Sequence, residues 1–200
     1  YHPEWAPLLE AQVVDMADSV AYDAHDIDDS YKAGLISEEQ LSRLELWKLA
    51  TEGSRLQGEI RVRAAVRQLT NLMVTDLVEH TLATLQRLGV DSVEKVRDLK
   101  EAAVRFSPPM EARKKALQQF LAQEVYRHHR VLIMSEKARK FISELFRAYM
   151  ASPLMLPPQF QAWSKEAGVP RAVADYIAGM TDRYCQEEYR RLFYPFENVL

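Results

Sequence analysis

From Ser54 to Leu88 the chain carries no proline, its apolar side chains recur every three to four residues, and Gly89 ends the run. A segment of that length and period can bury its apolar stripe only as one long helix, which in turn needs other helices to pack against. The flanking sequence reads the same way. Leu8 to about Ser30 has helical periodicity and ends before Gly34. Ser37-Glu38-Glu39-Gln40 is a capping-box pattern opening a helix to about Ala50. Asp91 is expected to cap a short helix through Val96. Ser107-Pro108-Pro109 opens a helix to about Arg127, with prolines where a missing N–H does no harm. Ser135 is expected to cap the next helix, to about Met150. After the punctuation of Pro153, Pro157 and Pro158, helices are expected over 158–166 and 170–180. A last helix starts at Thr181 or Asp182 and ends near Phe193.

Six glycines in 200 residues is few against a usual share of roughly 7%. No Gly-rich phosphate loop occurs, and strand-like alternation is scarce. The expectation is an all-α fold of about eight to nine helices with no significant sheet. With no repeat or low-complexity linker, residues 1–200 read as one domain. A net charge of −3 gives no strong nucleic-acid or membrane-surface signal. The N-terminus Tyr1-His2-Pro3-Glu4-Trp5 has no basic or apolar signal region, and without an initiator Met the chain is expected to be a processed product or a piece of something longer. The single cysteine, Cys185, fits a reducing, cytoplasmic location, and reads as a small buried hydrophobe rather than an activated thiol.

The most informative segment is Glu10 to Asp29. At about 100° per residue, Leu9, Val13, Met16, Val20, Ala24 and Ile27 gather on a core side. Asp15, Asp18, Tyr22, His25, Asp26 and Asp29 gather on the other. Like charges at i,i+3 and i,i+4 cost roughly 0.2–0.5 kcal/mol per pair, and Asp is a poor interior helix former. Crowded carboxylates call for a compensating cation: a metal, a basic neighbour or a bound ligand. A merely solvated acidic face is the alternative.

The stretch Ala17-Asp18-Ser19-Val20-Ala21-Tyr22, within Glu10–Asp29, resembles the last metal-ligand helix of bacterial dGTPase-like proteins of the HD superfamily. Phe146-Arg147-Ala148-Tyr149 with Leu156-Pro157-Pro158, and Asp175 to Tyr184, are similar to the same family, so the resemblance runs over nearly the whole chain. It implies a helical bundle of that superfamily, of which this is a C-terminal portion. It implies an enzyme hydrolysing a deoxynucleoside triphosphate to deoxynucleoside and tripolyphosphate, with a divalent metal (Mg or Mn) held by His…His-Asp…Asp. Carried over, Asp18 is a metal ligand, Tyr22 packs against the sugar, and Asp26 bonds the 3′-hydroxyl. Relatives are often homo-oligomers.

In the family the first His, the His-Asp pair and the catalytic His/Glu group precede the Ala-Asp motif. Only 17 residues precede Asp18 here, and they supply none of these. His25-Asp26 does not replace the pair, because His2 is the only histidine upstream and adjacent helical residues diverge by about 100°. The chain alone is therefore expected to be inactive, to hold no metal stably, and to leave its catalytic residues unknown.

Further residues invite a role. Arg63 and Arg67 share a face of the long helix, near Arg61, and suit triphosphate contacts; an ordinary salt-bridged face is the alternative. Tyr126-Arg127-His128-His129-Arg130 reads as helix-end chemistry with cations near a C-terminus. Asp182-Arg183 reads as a cap with an ion pair, and Asp175 and Tyr176 could reach an active site. Beside the enzyme portion stand two other functions: a non-catalytic nucleotide-sensing or assembly module, and a helical interaction protein docking a basic partner on the acidic face.

Overall fold

The computed structural model describes residues 5–194; His2, the histidine considered upstream of the acidic helix, lies outside the described residues. Within them the chain is all-α, with eight helices of seven residues or more and no strand, as expected. No helix of the described residues is long and apolar enough to cross a membrane. The helices are α1 (Leu9–Lys32), α2 (Glu38–Leu41), α3 (Glu45–Thr51), α4 (Gly58–Leu88), α5 (Val93–Arg97), α6 (Pro108–Leu121), α7 (His129–Ala151), α8 (Pro158–Ala167), α9 (Val169–Ala178) and α10 (Asp182–Phe193). A π-helical turn, Ala122–Tyr126, follows α6, and a 3₁₀ turn, Pro153–Met155, follows α7.

Local chemistry explains the boundaries, including those that differ from expectation. The capping box forms: Ser37 Oγ accepts from the Gln40 N–H at 3.2 Å, and Gln40 Oε1 accepts from the Ser37 N–H at 2.8 Å. The helix it opens ends at Leu41, because Ser42 Oγ bonds back to the Glu39 carbonyl at 2.7 Å and Leu44 is extended before α3 begins. The long helix starts at Gly58, not Ser54, after the extended Gln57. It ends as expected on Gly89, left-handed at φ 62°. Ser92 rather than Asp91 caps α5, and Asp91 pairs with Lys95 Nζ at 2.9 Å instead. Ser107 caps α6, accepting from the Met110 N–H. Ser135 caps nothing: it lies inside α7, which begins at His129.

The described residues fall into two compact units, the first ending at His128 and the second beginning at His129. In the first, α4 packs on α1 and α3, and α6 packs on α1 and α3. Val62, Ala65, Leu69, Met73 and Leu77 of α4 repeat every three to four residues and share one core with Val20 and Ile27 of α1, Leu46 and Trp47 of α3, and Leu117 and Leu121 of α6. Each fully buried Leu or Ile there is worth roughly 1.5–3 kcal/mol of transfer free energy. In the second unit α7 packs on α9 and α10, and α8 on α9, around Leu145, Tyr149, Leu156, Val173, Tyr176 and Tyr189.

The core side of α1 is rotated from its expected place. Val20, Ala24 and Ile27 are buried, and Leu9 and Met16 partly so, but Val13 is 49% exposed. Gln12, Asp23 and Ser30 are buried in its stead. Gln12 explains part of the turn: its amide donates to the Pro7 carbonyl at 2.7 Å and accepts from the Ala103 and Val104 N–H groups at 2.8 and 3.1 Å. A side chain that pairs with three backbone groups, two of them buried, is held inward against its own polarity.

Candidate functional site

The polar side of α1 borders a cavity of about 450 Å³ in the first unit. Asp15, Met16, Asp18, Ser19, Tyr22 and Asp23 of α1 form one wall, and Gln118 of α6 and Tyr126 of the π turn form the other. Of the residues singled out from the sequence, Asp18 and Tyr22 line this cleft, and Tyr22 is 63% exposed. Asp26, one turn further along α1, accepts a hydrogen bond from the Tyr126 hydroxyl. Burial, that bond, and the nearby charges of Asp26 and Asp23 push the Tyr126 hydroxyl up to about 12.

Arg63 and Arg67 are exposed on α4 and are not among the residues lining the cleft; Arg63 pairs with Glu59 one turn earlier. Arg61 pairs with Glu38 of α2. In the second unit Asp175 accepts from Arg171 Nε at 2.8 Å and from Trp163 Nε1 at 2.9 Å, and the guanidinium above all holds its carboxyl below the usual range. The Tyr176 hydroxyl is 3.1 Å from that of Tyr184. Thr181, not Asp182, caps α10, and Arg183 pairs with Glu187 rather than with Asp182. Burial first, then Asp182 and Glu188, push the Cys185 thiol up, consistent with an unactivated side chain.

Five residues of the site escaped the sequence reading: Ser19, Asp23, Lys114, Gln118 and Tyr126. Asp23 and Lys114 form an ion pair at 2.6 Å with both side chains more than nine-tenths buried. Lys114 Nζ also donates to Ser19 Oγ at 2.8 Å, and Gln118 Nε2 donates to Asp23 Oδ1 at 3.3 Å. A signal for Asp23 was present: Met16, Val20, Asp23 and Ile27 keep core spacing, and a carboxylate in a core register demands a partner. Lys114 and Gln118 carried no such mark, because only packing shows that α6 faces α1. Tyr126 reads as a helix end in sequence, whereas the π turn carries its hydroxyl to Asp26.

Lys114 is thus the basic partner of Asp23, a carboxylate outside the acidic side read from the sequence. A divalent ion is a different matter. Among the described residues no group of three or more His, Cys, Asp or Glu side chains is arranged to hold a metal.

Residues 104–191, from just before α6 into α10, match the family described as Phosphohydrolase-associated domain. The chain is 39% identical to a deoxyguanosinetriphosphate triphosphohydrolase-like protein of Geobacter sulfurreducens, over 98% of this chain and 52% of the relative. It is 42% identical to a protein of the same description from Azoarcus sp., over 94% of this chain and 50% of that relative. It is 41% identical to another from Ralstonia pickettii, over 94% and 49%. The chain spans about half the length of the curated relatives it matches.

Proposed function

We propose, from the premise that this chain is homologous over nearly its whole length to the deoxyguanosinetriphosphate triphosphohydrolase-like proteins and carries a phosphohydrolase-associated domain, that residues 1–200 act as one C-terminal region of a metal-dependent deoxynucleoside-triphosphate triphosphohydrolase. The observation that carries the reading is the cleft at α1, where Asp18 and Tyr22 face Gln118 and Tyr126 and border Asp26. The products are a deoxynucleoside and tripolyphosphate, dGTP is one substrate, and the protein works in the cytoplasm as a homo-oligomer.

In this reading Tyr22 offers an exposed ring for the deoxyribose to pack on, and Asp26 accepts a sugar hydroxyl in place of Tyr126. Arg63 and Arg67 serve the triphosphate once the remaining part of the enzyme is in place. Asp18 is the single metal ligand this region supplies, from Mg²⁺ or Mn²⁺ chemistry that the described residues do not by themselves complete. The 200-residue chain alone should accordingly release no tripolyphosphate from a deoxynucleoside triphosphate with either ion added, and turnover by it would overturn the single-ligand account.

The decisive experiment expresses in full the open reading frame that encodes this chain and compares four variants by metal titration and steady-state kinetics. Asp18→Ala should lose metal and activity together. Asp26→Ala should keep its metal and lose roughly one to two decades in kcat/KM, the worth of a charge-assisted hydrogen bond at about 1.5–3 kcal/mol. Tyr22→Ala should lose discrimination against a 2′-hydroxyl, and Asp29→Asn should change little. If Asp18→Ala keeps metal and rate while Asp15→Ala loses both, the register is wrong by one turn. Four neutral substitutions would leave the acidic face merely solvated and favour a non-catalytic sensing or assembly module.

A further inference from the structure

Polar contacts cross from α6 and the π turn to α1 at successive levels of the cleft. Lys114 reaches Ser19 at 2.8 Å and Asp23 at 2.6 Å, Gln118 reaches Asp23, and Tyr126 reaches Asp26. Ser19, Asp23, Gln118 and Tyr126 all line the cleft, while Lys114 lies beneath them, 6% exposed. A buried ammonium has no function in simple packing. Removing an ion from water is costly, and replacing such a pair by apolar side chains is often neutral or stabilising. What the pair gives in return is a fixed geometry. The ammonium is a compact charge with three donors, and two of them hold the side chains of neighbouring levels of α1. Its charge also lies under a helix carrying Asp15, Asp18, Asp23, Asp26 and Asp29, in surroundings where screening by water is weak.

We infer that Lys114 is the positioning residue of this cleft: from below, it fixes Asp23 and Ser19, and through Asp23 the Gln118 amide, so that the two walls meet a deoxynucleotide in one arrangement. The inference rests on the reading of the cleft as a deoxynucleotide site. Lys114 does not touch the ligand. It acts through side chains that line the cleft, on contacts that ground state and transition state share, so its loss shows in KM more than in kcat.

The test uses the full open reading frame, with dGTP and Mn²⁺ as probe, and Tyr22→Ala as the independent check on the reading. Lys114→Met should raise KM about tenfold or more with kcat changed by less than about threefold, as expected for misplaced binding groups. Lys114→Arg, which keeps the charge, should recover part of that loss. Because Lys114→Met strands a buried carboxylate and can unfold the protein, the pair Asp23→Asn with Lys114→Met removes both charges together. It should fold with a thermal midpoint near that of the parent and still show the raised KM. If Tyr22→Ala weakens dGTP and the neutral pair does not, the positioning role is overturned and the site reading stands. If neither substitution affects dGTP, both fall. A KM raised equally by Lys114→Met and Lys114→Arg, with the neutral pair at the parental value, would mark a packing effect and also overturn the proposal.

Discussion

Tyr126 and Asp26 lie 100 residues apart in the chain, and the Tyr126 hydroxyl donates to Asp26 Oδ2 across the α1 cleft. The tyrosine reaches it because the chain leaves α6 through a π-helical turn, Ala122–Tyr126, a form of helix often found at functional sites. The turn also carries Glu124, which accepts from Gln40 Nε2 at 2.9 Å and ties the same corner to α2.

Burial of the Tyr126 hydroxyl first, and this contact second, make part of the fold's stability sensitive to alkaline pH. The folded state holds the Tyr126 proton more tightly than the unfolded chain does, with the hydroxyl raised from 10.0 to about 12. The contribution is therefore complete below about 10 and is lost as pH rises through about 12. Tyr126→Phe should remove one late-titrating tyrosine from the ultraviolet titration and flatten the fall of thermal midpoint over that window. An unchanged titration would show that another tyrosine titrates late in its place.

Gln12 should be among the most sensitive polar positions of the first unit. Gln12→Leu fills the volume but leaves the Ala103 and Val104 N–H groups buried without an acceptor. The expected cost is about 2–4 kcal/mol, read from urea unfolding. A loss under about 0.5 kcal/mol, the level of an ordinary surface substitution, would mean that water replaces the amide.

Gly89 should respond to a side chain through its backbone alone. Its φ is +62°, and an added Cβ would meet nothing within 4 Å. Gly89→Ala should cost about 1 kcal/mol from the left-handed conformation. Gly179, at φ −80° with only ordinary contacts around an added Cβ, should accept Ala at no cost or a slight gain. Thermal midpoints of the two variants decide it.

In the second unit Glu188 is the buried acceptor around which α7, α9 and α10 are arranged. It is 3% exposed, takes the Tyr149 hydroxyl and pairs with Arg191 at 2.6 Å. Burial first, then Glu188, hold the Tyr149 proton far more tightly than usual. Glu188→Leu should cost about 1–3 kcal/mol by leaving the buried Tyr149 hydroxyl without its acceptor, since Arg191, with its side chain 44% exposed, turns to water instead. Glu188→Gln, which keeps an acceptor for Tyr149, should cost less; equal losses would assign the effect to shape rather than to the bond.

The sequence was most legible where neighbours along the chain decide the outcome. The Ser37–Gln40 box, the Ser107 cap before two prolines, and the left-handed Gly89 each depend on residues within about one turn. Even there, competition between adjacent groups escaped it: Ser92 outcompeted Asp91 for the cap, and Ser42 bonding back to Glu39 divided one expected helix into two. The acidic side of α1 was legible because a period of 3.6 places Asp15, Asp18, Tyr22 and Asp29 together whatever the helix packs against.

Taken by itself, then, the sequence determined an all-helical chain, the end of its longest helix at Gly89, and the stripe on which Asp18, Tyr22 and Asp26 stand, since all of these follow from backbone hydrogen bonding and periodicity. It also carried the family resemblance. Which side of α1 turns inward, and what meets the stripe, only the tertiary structure decided. Val13 looked like core and is half exposed, while Gln12, Asp23 and Lys114, none of them assigned to the core from sequence, are buried. The physical reason is that burying a polar side chain is favourable only with a partner in place. Those partners, Ala103 and Val104 for Gln12 and Lys114 for Asp23, come from about 90 residues away along the chain.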